Sequence, residues 1–399
     1  MAETRADGIP AGTMAPMIPI FFCFFSMGFV DLCGLGSNLL KEELHLTDSQ
    51  ANLFVTLTFL WFFVFSVPVG LLMNKIGRKN TVILSMVITC IAMAAPMFTS
   101  SYVGMLVAFS LIGIGNVFLQ TSLNPLVSNV IAPQHLASTL TFGQFVKAFV
   151  AILGPFVAAW CVAGIIPNFG LGWRAMFPVY GIVGVISTIL IARVQIQEKQ
   201  ADKISGFGEV VRLLGDGFVL CCFIAIICHV GIDVGTNATA PRFLAEVWPG
   251  QAQDAYNFAI VVYFIARTTS CLLGAGLLRV MPAKPFFLCG VALVGAGIIL
   301  LWSAPGKMMV YISVVLIALG NSNLFSVAFS QALSRRPSEG NEVAGLMIMG
   351  VCGGAIIPQA MGIASDVMQS QAGAVLVLCA ACIFLLCYSF MIRSLNVAK

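Results

Sequence analysis

Four ionisable side chains interrupt long apolar stretches of the sequence. They are Asp31, Lys147, Asp233 and Arg267, with one acid and one base in each half of the chain. A charged side chain inside a membrane costs about 2.5–3.5 kcal/mol on insertion scales, which makes such residues functional candidates. Burial raises the pKa of a carboxyl group and a nearby cation lowers it, so a moving cation can drive proton binding and release. We therefore predict two pairs, Asp31 with Lys147 and Asp233 with Arg267, that either couple to protons or stay permanently paired.

Amide side chains form a second polar set. Asn116, Gln120 and Asn124 are spaced by four residues, so on a helix they occupy one face. Amides donate hydrogen bonds to hydroxyl groups and accept them, which suits a sugar. The alternative is that these amides bond neighbouring helices together. We predict that two of the three contact a substrate.

Other amides share a helical face with a charged residue. Gln144 precedes Lys147 by three residues, and Asn237 follows Asp233 by four. Asn321 and Asn323 point about 200° apart on a helix, so at most one of them faces a substrate. The predicted substrate contacts are Asn116, Gln120, Asn124, Gln144, Asn237, Asn321 and Gln359.

A histidine and several aromatic residues allow two interpretations each. His229 lies one helical turn before Asp233 and is either part of a proton relay or a hydrogen-bonded core residue. Four aromatic residues either stack on a pyranose ring or serve only in packing: Trp61, Phe142, Phe145 and Phe325.

The elements that position these residues are membrane spans. Of the 399 residues, 59% are hydrophobic and 9% are charged, against roughly 25% charged in a soluble domain. The mean hydropathy is +1.00. The apolar runs are continuous and do not alternate, which excludes a β-barrel and leaves helices. At roughly 20 residues per crossing, the sequence predicts an all-α membrane protein with twelve spans at 15–37, 51–73, 81–99, 102–130, 137–164, 174–194, 214–241, 254–279, 285–302, 308–333, 342–366 and 372–393.

Positive charges set the predicted orientation. The turn at 70–79, between the second and third spans, holds Lys75, Arg78 and Lys79, and basic turns of this kind stay in the cytoplasm. With both termini in the cytoplasm, fourteen of the 20 lysines and arginines lie inside and four lie in outer loops. Residues 1–13 lack a basic start before an apolar core, so the first span is expected to be retained. We expect a multi-pass protein of the cell inner membrane.

Several classes of activity lack support in the sequence. The net charge of +4 is dispersed over loops without a basic stripe, so no nucleic-acid partner is expected. The thirteen cysteines lie mostly inside apolar runs and are interpreted as small buried hydrophobic residues. No nucleophile–base constellation, metal-ligand spacing or phosphate-binding Gly-x4-Gly-Lys-[Ser/Thr] motif occurs. We expect no enzymatic activity, metal or cofactor, and a monomer in the lipid bilayer.

An internal duplication organises the chain. Asp31 and Asp233 differ by 202 positions, and Pro155 and Pro358 differ by 203. Each repeat holds six spans, an even number, so the two are related by an axis along the membrane normal. The predicted domains are six-helix bundles at 1–194 and 213–399, joined by a cytoplasmic linker at 195–212. Such bundles flank a central cavity and rock against each other during transport.

The eleventh span has features of a gate. Glu342 begins it on the cytoplasmic side, where it is predicted to meet Arg78 and, with Asn74, to hold that side closed. Farther along, two glycines and Pro358 either allow bending or provide tight packing.

These stretches resemble a known family. The turn at 70–79 is similar to the loop between helices 2 and 3 of the major facilitator superfamily, although Asn74 replaces the usual aspartate. The whole chain resembles the fucose:proton symporter family of that superfamily, through Leu119-Gln-Thr-Ser-Leu-Asn124-Pro125, the Gly-Gly-Ala-Ile-Ile-Pro stretch and the aspartate of the first span. Gln120 stands where the fucose symporter pattern has glutamate, and the chain looks closer to the glucose/galactose-type members. The resemblance implies a major facilitator fold and monosaccharide import.

The residues and the resemblance together predict a secondary active transporter. We expect it to import a neutral hexose such as glucose or galactose, coupled to protons through Asp31 by alternating access. One alternative is that Lys147 and Arg267 bind the carboxylate of an acidic sugar or an organic anion. Another is that sodium replaces the proton, because an aspartate with nearby amides can serve either ion. Multidrug or lipid efflux is a third alternative, and the amide face of the fourth span argues against it.

Overall fold

The computed structural model describes residues 14–46, 48–196, 198, 206–251, 253–303 and 306–392. These residues form α-helices joined by short turns and brief 3-10 segments. The two termini, which are predicted to be cytoplasmic, lie outside the described residues. Residues 197 and 199–205 of the predicted linker also lie outside them. The sixteen helices of the described part are α1 (Met14–Met27), α2 (Cys33–Glu43), α3 (Asp48–Ile76), α4 (Arg78–Phe98), α5 (Tyr102–Val130), α6 (Pro133–Val162), α7 (Met176–Arg193), α8 (Phe207–Arg212), α9 (Gly217–Val247), α10 (Gln253–Val280), α11 (Ala283–Trp302), α12 (Lys307–Asn321), α13 (Leu324–Arg335), α14 (Gly340–Met349), α15 (Gly353–Met368) and α16 (Ala372–Met391).

Membrane-spanning length is reached twelve times within the described residues. By length and composition, the twelve stretches are long and apolar enough to cross a bilayer. The prediction of an all-α membrane protein with twelve spans is confirmed, and the chain is a multi-pass membrane protein. The spans are Pro16–Glu43, Leu53–Ile76, Arg78–Phe98, Tyr102–Val130, Pro133–Val162, Gly172–Arg193, Gly217–Asn237, Phe258–Val280, Ala283–Trp302, Lys307–Arg335, Pro337–Met368 and Ala372–Met391.

Three spans are interrupted part-way along their length. In the first span the 3-10 segment Gly28–Leu32 separates α1 from α2 and carries Asp31. In the tenth span α12 ends at Asn321 and α13 begins at Leu324. In the eleventh, a 3-10 turn of three residues lies between α14 and α15. Short 3-10 stretches inside helices often mark hinges, and irregular backbone at membrane depth is tolerated where protein surrounds it.

The interruption of the eleventh span differs in place from the predicted weak turn. The sequence predicts that Pro358 weakens a turn, but Pro358 lies inside α15, which continues past it to Met368. The irregular turn is Gly350–Cys352, two turns earlier. A Cβ atom at Gly350 would lie 3.3 Å from the backbone oxygen of Phe223 in α9, so the irregular turn lies where the chain touches another helix. Packing therefore decides where this span is irregular.

The described helices group into two compact units. The fifth and eleventh spans are each divided between them, since α6 contributes its start to one unit and its remainder to the other, and α14 and α15 belong to different units. The predicted domain limits at 194 and 213 stay a prediction. Unit 1 holds the described residues within Met1–Ala132, Val146–Val210 and Ser338–Met349, and unit 2 those within Pro133–Phe145, Val211–Pro337 and Gly350–Lys399.

Glycine contacts hold the helices of unit 1 together. A Cβ atom at Gly113 of α5 would lie 2.7 Å from the carbonyl oxygen of Thr58 in α3. A Cβ atom at Gly345 of α14 would lie 2.7 Å from the carbonyl oxygen of Ser66, and 3.3 Å from the Cα atom of Gly70. Small residues let backbones approach closely where lipid gives no hydrophobic drive for helix association. Van der Waals contact between backbones therefore joins α3 to both α5 and α14.

Unit 2 uses the same device between α11 and α12. A Cβ atom at Gly320 would press on the carbonyl oxygen of Gly290 and lie 2.8 Å from the backbone nitrogen of Val294. A Cβ atom at Gly290 would in turn lie 2.8 Å from the carbonyl oxygen of Gly320. The two glycines face each other, so neither position has room for a methyl group.

We expect Gly320→Ala to destabilise unit 2. The added methyl group meets backbone atoms that cannot rotate away, and overpacking of this kind costs about 1–3 kcal/mol. Thermal unfolding of the purified protein in detergent measures the effect as a lower transition temperature. The matched control is Gly276→Ala in α10, where a Cβ atom has nothing within 4 Å. Equal transition temperatures for the Gly320 variant and wild type would refute the contact.

Candidate functional site

Asp31 and Lys147 form an ion pair in unit 1. The Lys147 Nζ atom lies 3.5 Å from Asp31 Oδ1, and the two side chains are 11% and 17% exposed. The second oxygen, Oδ2, is buried and has no hydrogen-bond partner among the described residues. Gly28 makes the approach of α6 possible, because a Cβ atom there would lie 2.6 Å from the Lys147 carbonyl oxygen. The predicted pairing is present, and half of the Asp31 carboxylate is unsatisfied.

Asp233 and Arg267 form the second ion pair, in unit 2. Arg267 Nη2 lies 3.3 Å from Asp233 Oδ2, and the side chains are 14% and 13% exposed. Tyr263 donates its hydroxyl to the other oxygen, Oδ1, at 2.5 Å. Sequence reasoning missed Tyr263. The available signal was its position four residues before Arg267, which places both residues on one face of α10.

His229 and Asn321 bond to each other between α9 and α12. His229 Nδ1 lies 3.1 Å from Asn321 Oδ1, and Asn321 Nδ2 donates to the His229 carbonyl oxygen at 2.9 Å. Both side chains are buried. Asn323 donates to the backbone and hydroxyl oxygens of Ser270. In this conformation these amides link helices, and His229 is a hydrogen-bonded core residue.

Two of the three amides on the fourth span also bond within the protein. Asn116 Nδ2 donates to the Met27 carbonyl oxygen at 2.7 Å, the last residue of α1. Gln120 Nε2 donates to Asn116 Oδ1 at 2.6 Å. Asn124 is fully buried, and neither its Nδ2 nor its Oδ1 atom has a hydrogen-bond partner among the described residues. The predicted shared face is present, with its unused hydrogen-bonding capacity at Asn124.

The remaining predicted contacts differ in their surroundings. Asn237 Nδ2 donates to the Asp233 carbonyl oxygen at 2.9 Å, while its Oδ1 is buried without a partner in the described part of the chain. Gln144 is half-buried on α6, and Gln359 is exposed on α15. Each aromatic candidate packs on another ring, as Phe142 does on Phe145 at 5.7 Å between centroids.

A polar cluster joins the end of α3 and the start of α4 to α14 in unit 1. Asn74 Nδ2 donates to Glu342 Oε1 at 2.5 Å, and Asn341 Nδ2 donates to Asn74 Oδ1 at 2.7 Å. The Arg78 guanidinium donates to Asn341 Oδ1 at 2.6 Å and to the Pro125 carbonyl oxygen at 3.0 Å. The sequence predicts a contact between Glu342 and Arg78. In the structure Glu342 accepts its hydrogen bond from Asn74, and Asn341 bonds to both Asn74 and Arg78. Sequence reasoning missed Asn341.

Glu198 caps the start of α4. Its carboxylate accepts hydrogen bonds from the backbone N–H groups of Arg78 and Lys79, at 2.6 and 2.7 Å. Gly77 precedes the helix with φ of 85°, a left-handed conformation that favours glycine. The first N–H groups of a helix lack internal partners and favour an anion, so Glu198 satisfies two of them.

Asp216 has the same position at the start of α9 in unit 2. Its Oδ1 atom accepts a hydrogen bond from the Phe218 backbone N–H group at 3.1 Å, and Oδ2 lies 3.0 Å from Arg336 Nη2 and 3.3 Å from Arg335 Nε. Burial raises the pKa of the Asp216 carboxyl group. The Phe218 hydrogen bond and the two arginines together lower this pKa by more than burial raises it, so the pKa lies below its ordinary value. Asp216 is therefore ionised at neutral pH and anchors α9 to the end of α13.

The two ion pairs interact electrostatically. Within the described residues, no group of three or more histidine, cysteine, aspartate or glutamate side chains is placed to hold a metal ion. The groups that remain are carboxylates paired with cations, and amides with spare donors and acceptors. Such a set binds neutral hydroxyl groups and single charges.

Two characterised proteins are similar to the chain over most of its length. It is 24% identical over 360 residues to the glucose/galactose transporter of Brucella abortus biovar 1 (strain 9-941), a match that covers 86% of each chain. It is also 24% identical over 383 residues to the L-fucose-proton symporter of Escherichia coli (strain K12), again covering 86% of each chain.

The fold and the sequence agree on a family. The crystal structure of the E. coli fucose:proton symporter matches with a TM-score of 0.81 at 17% identity, covering 96% of this chain and 100% of that one. The sequence profile of the Major Facilitator Superfamily matches residues 17–358. The protein therefore belongs to the Major Facilitator Superfamily.

Proposed function

We propose that this protein imports a neutral hexose, such as glucose or galactose, coupled to protons by alternating access. The sugar class comes from the names of the glucose/galactose and fucose relatives. The observation that carries the coupling is the half-satisfied carboxylate of Asp31, with Lys147 on one oxygen and no partner on the other. The membrane is the cell inner membrane, with both termini in the cytoplasm, and the working unit is a monomer.

The proton site follows from the geometry of Asp31. An unpaired buried carboxylate oxygen is costly, and a proton on that oxygen removes the charge that burial opposes. The ammonium of Lys147 compensates the same charge when the proton leaves. Asp31 lies in a 3-10 segment, where one backbone turn separates two helices that can shift. Protonated Asp31 then belongs to the outward-open state, and Asp31 paired with Lys147 belongs to the state after release.

The proposed sugar-binding residues include the amides that have unused hydrogen-bonding capacity. Asn124 has both polar atoms free of partners among the described residues, and Asn237 has a free Oδ1 atom. A sugar hydroxyl both donates and accepts, so it satisfies either amide. In this conformation Asn116 and Asn321 link helices and Gln120 bonds to Asn116. These three amides contribute to the sugar site once those bonds are exchanged. Gln144 and Gln359 complete the proposed set.

An acidic substrate is the second candidate. Lys147 and Arg267 would bind its carboxylate, yet each already lies within 3.5 Å of an aspartate oxygen. An anion would have to displace an aspartate that is fixed to the chain. Competition assays with acidic sugars, together with Lys147→Gln, separate the two readings, since a neutral site keeps hexose binding in that variant. Transport in sodium-free buffer separates proton from sodium coupling.

We expect Asp31→Asn to abolish uphill accumulation and to spare sugar exchange. Asparagine fits the same space and hydrogen-bonds a sugar, but it does not bind and release a proton. The measurement compares accumulation driven by a pH gradient with counterflow in proteoliposomes. Asp366→Asn, at an exposed position in α15, is the matched control and keeps both activities. Full accumulation by the Asp31 variant would refute the assignment.

The polar cluster around Arg78 is the proposed cytoplasmic gate. Its members are Asn74, Arg78, Asn341 and Glu342, and they join α14 to the turn before α4. The glycine contact between α14 and α3 lies beside the cluster, because a Cβ atom at Gly70 would be 2.8 Å from the Asn341 carbonyl oxygen.

We expect Arg78→Gln to loosen α14. The variant loses hydrogen bonds from a charged donor, which contribute about 1.5–3 kcal/mol each when buried. Hydrogen–deuterium exchange of peptides covering 338–349 should rise by roughly ten-fold or more in rate. Lys75→Gln, an exposed position in the same basic turn, is the control and leaves the exchange unchanged. Equal exchange in the two variants would show that Arg78 does not hold the gate.

A further inference from the structure

We propose that Tyr263 is a positioning residue that keeps Asp233 ionised and bound to Arg267, so that this second pair contributes to sugar affinity and carries no coupling proton. The inference rests on the proposed transport function. It separates two ion pairs that the sequence makes equivalent, since each has one acid and one base in one half of the chain.

Both oxygens of Asp233 are engaged. Tyr263 donates to Oδ1 at 2.5 Å, and Arg267 Nη2 lies 3.3 Å from Oδ2. The two donors stand four residues apart on α10, so one helical face presents a hydroxyl and a guanidinium to one carboxylate. Tyr263 is 1% exposed, which fixes its ring by packing. A proton on Asp233 would remove the negative charge that strengthens both contacts.

The cation of this pair cannot change its charge. A guanidinium stays protonated in proteins, whereas a lysine ammonium can lose its proton when buried. Hydrogen bonds donated to a carboxylate favour its ionised form. His229, one turn before Asp233 on α9, bonds to Asn321. Asp233 therefore contacts a hydroxyl donor and a permanent cation.

The contrast with Asp31 supports different roles. Asp31 has a lysine at 3.5 Å, a free Oδ2 atom within the described part of the chain, and a 3-10 backbone. Asp233 has two donors and lies within the continuous helix α9. A buried carboxylate oxygen without a donor gains more from a proton than one that already accepts a hydrogen bond, and within the described residues Asp31 Oδ2 is such an oxygen.

Two buried polar atoms close in sequence to the second pair lack hydrogen-bond partners among the described residues. Asn237 lies one turn after Asp233 and donates to its carbonyl oxygen, leaving Oδ1 buried and unpartnered among the described residues. The hydroxyl of Thr268, next to Arg267 in the sequence, is likewise buried without a partner there. Unsatisfied buried groups are rare in proteins and indicate a missing water or ligand. By fixing Asp233 and Arg267, Tyr263 fixes the turns that carry these two atoms.

The test compares sugar affinity with proton coupling in the full-length protein. Tyr263→Phe removes only the hydroxyl, and we expect it to raise the KM for hexose exchange about ten-fold while kcat stays within two-fold. Accumulation driven by a pH gradient at saturating sugar is retained. Tyr311→Phe, a tyrosine of α12 that packs on Phe258, is the matched control and leaves both quantities unchanged.

Asp233→Asn decides the proposal independently of the tyrosine variant. Asparagine removes the charge that Arg267 pairs with and that strengthens the Tyr263 hydrogen bond, so we expect weaker sugar binding with accumulation retained. In the Asp233→Asn background Tyr263→Phe should change KM less than two-fold, as expected when both residues act through one interaction. Loss of accumulation with exchange intact in either single variant would overturn the inference, as would an unchanged KM in Tyr263→Phe. Failure of the wild-type protein to transport hexoses would instead overturn the proposed function.

Discussion

Compensation of buried charge is the constraint on which the rest of the structure depends. The interior ionisable residues Asp31, Lys147, Asp233 and Arg267 are paired within a unit, never left single, and each pair joins two spans. Because an unpaired charge at this depth costs several kcal/mol, the helices must bring each acid to its base. The glycines at the crossing points allow that approach, as Gly28 does beneath Lys147. Charge pairing therefore requires close helix packing at these crossing points.

The two units meet the requirement differently. Asp31 Oδ2 has no hydrogen-bond partner among the described residues, and Asp31 lies in a 3-10 turn beside a lysine. Asp233 accepts a hydrogen bond from Tyr263 on one oxygen and pairs with Arg267 through the other. The first arrangement leaves an acceptor unsatisfied, and the second gives each oxygen a donor or a cation. Two ion pairs of the same composition therefore have different surroundings in the two units.

Hydropathy predicts the spans well, because a bilayer leaves helices as the only way to satisfy the backbone of an apolar run. The ion pairs were also predictable, because few charges were available to pair. The partners of polar residues were not. Asn116 bonds to the carbonyl oxygen of Met27, and Glu198 bonds to backbone N–H groups, and sequence patterns do not show such backbone partners. Tyr263 resembles the other aromatic residues of the apolar runs, although its position four residues before Arg267 places both on one helical face.

The contact between α14 and α3 has an apolar part and a polar part. Its apolar part is a crossing of backbones at Gly70 and Gly345, which buries little side-chain surface and so costs little to separate. Its polar part consists of amide, carboxylate and guanidinium groups near the end of the span, where water can replace each hydrogen bond. The asparagine at position 74 lowers the charge of this cluster relative to an aspartate. The contact therefore combines close backbone packing with hydrogen bonds of defined geometry.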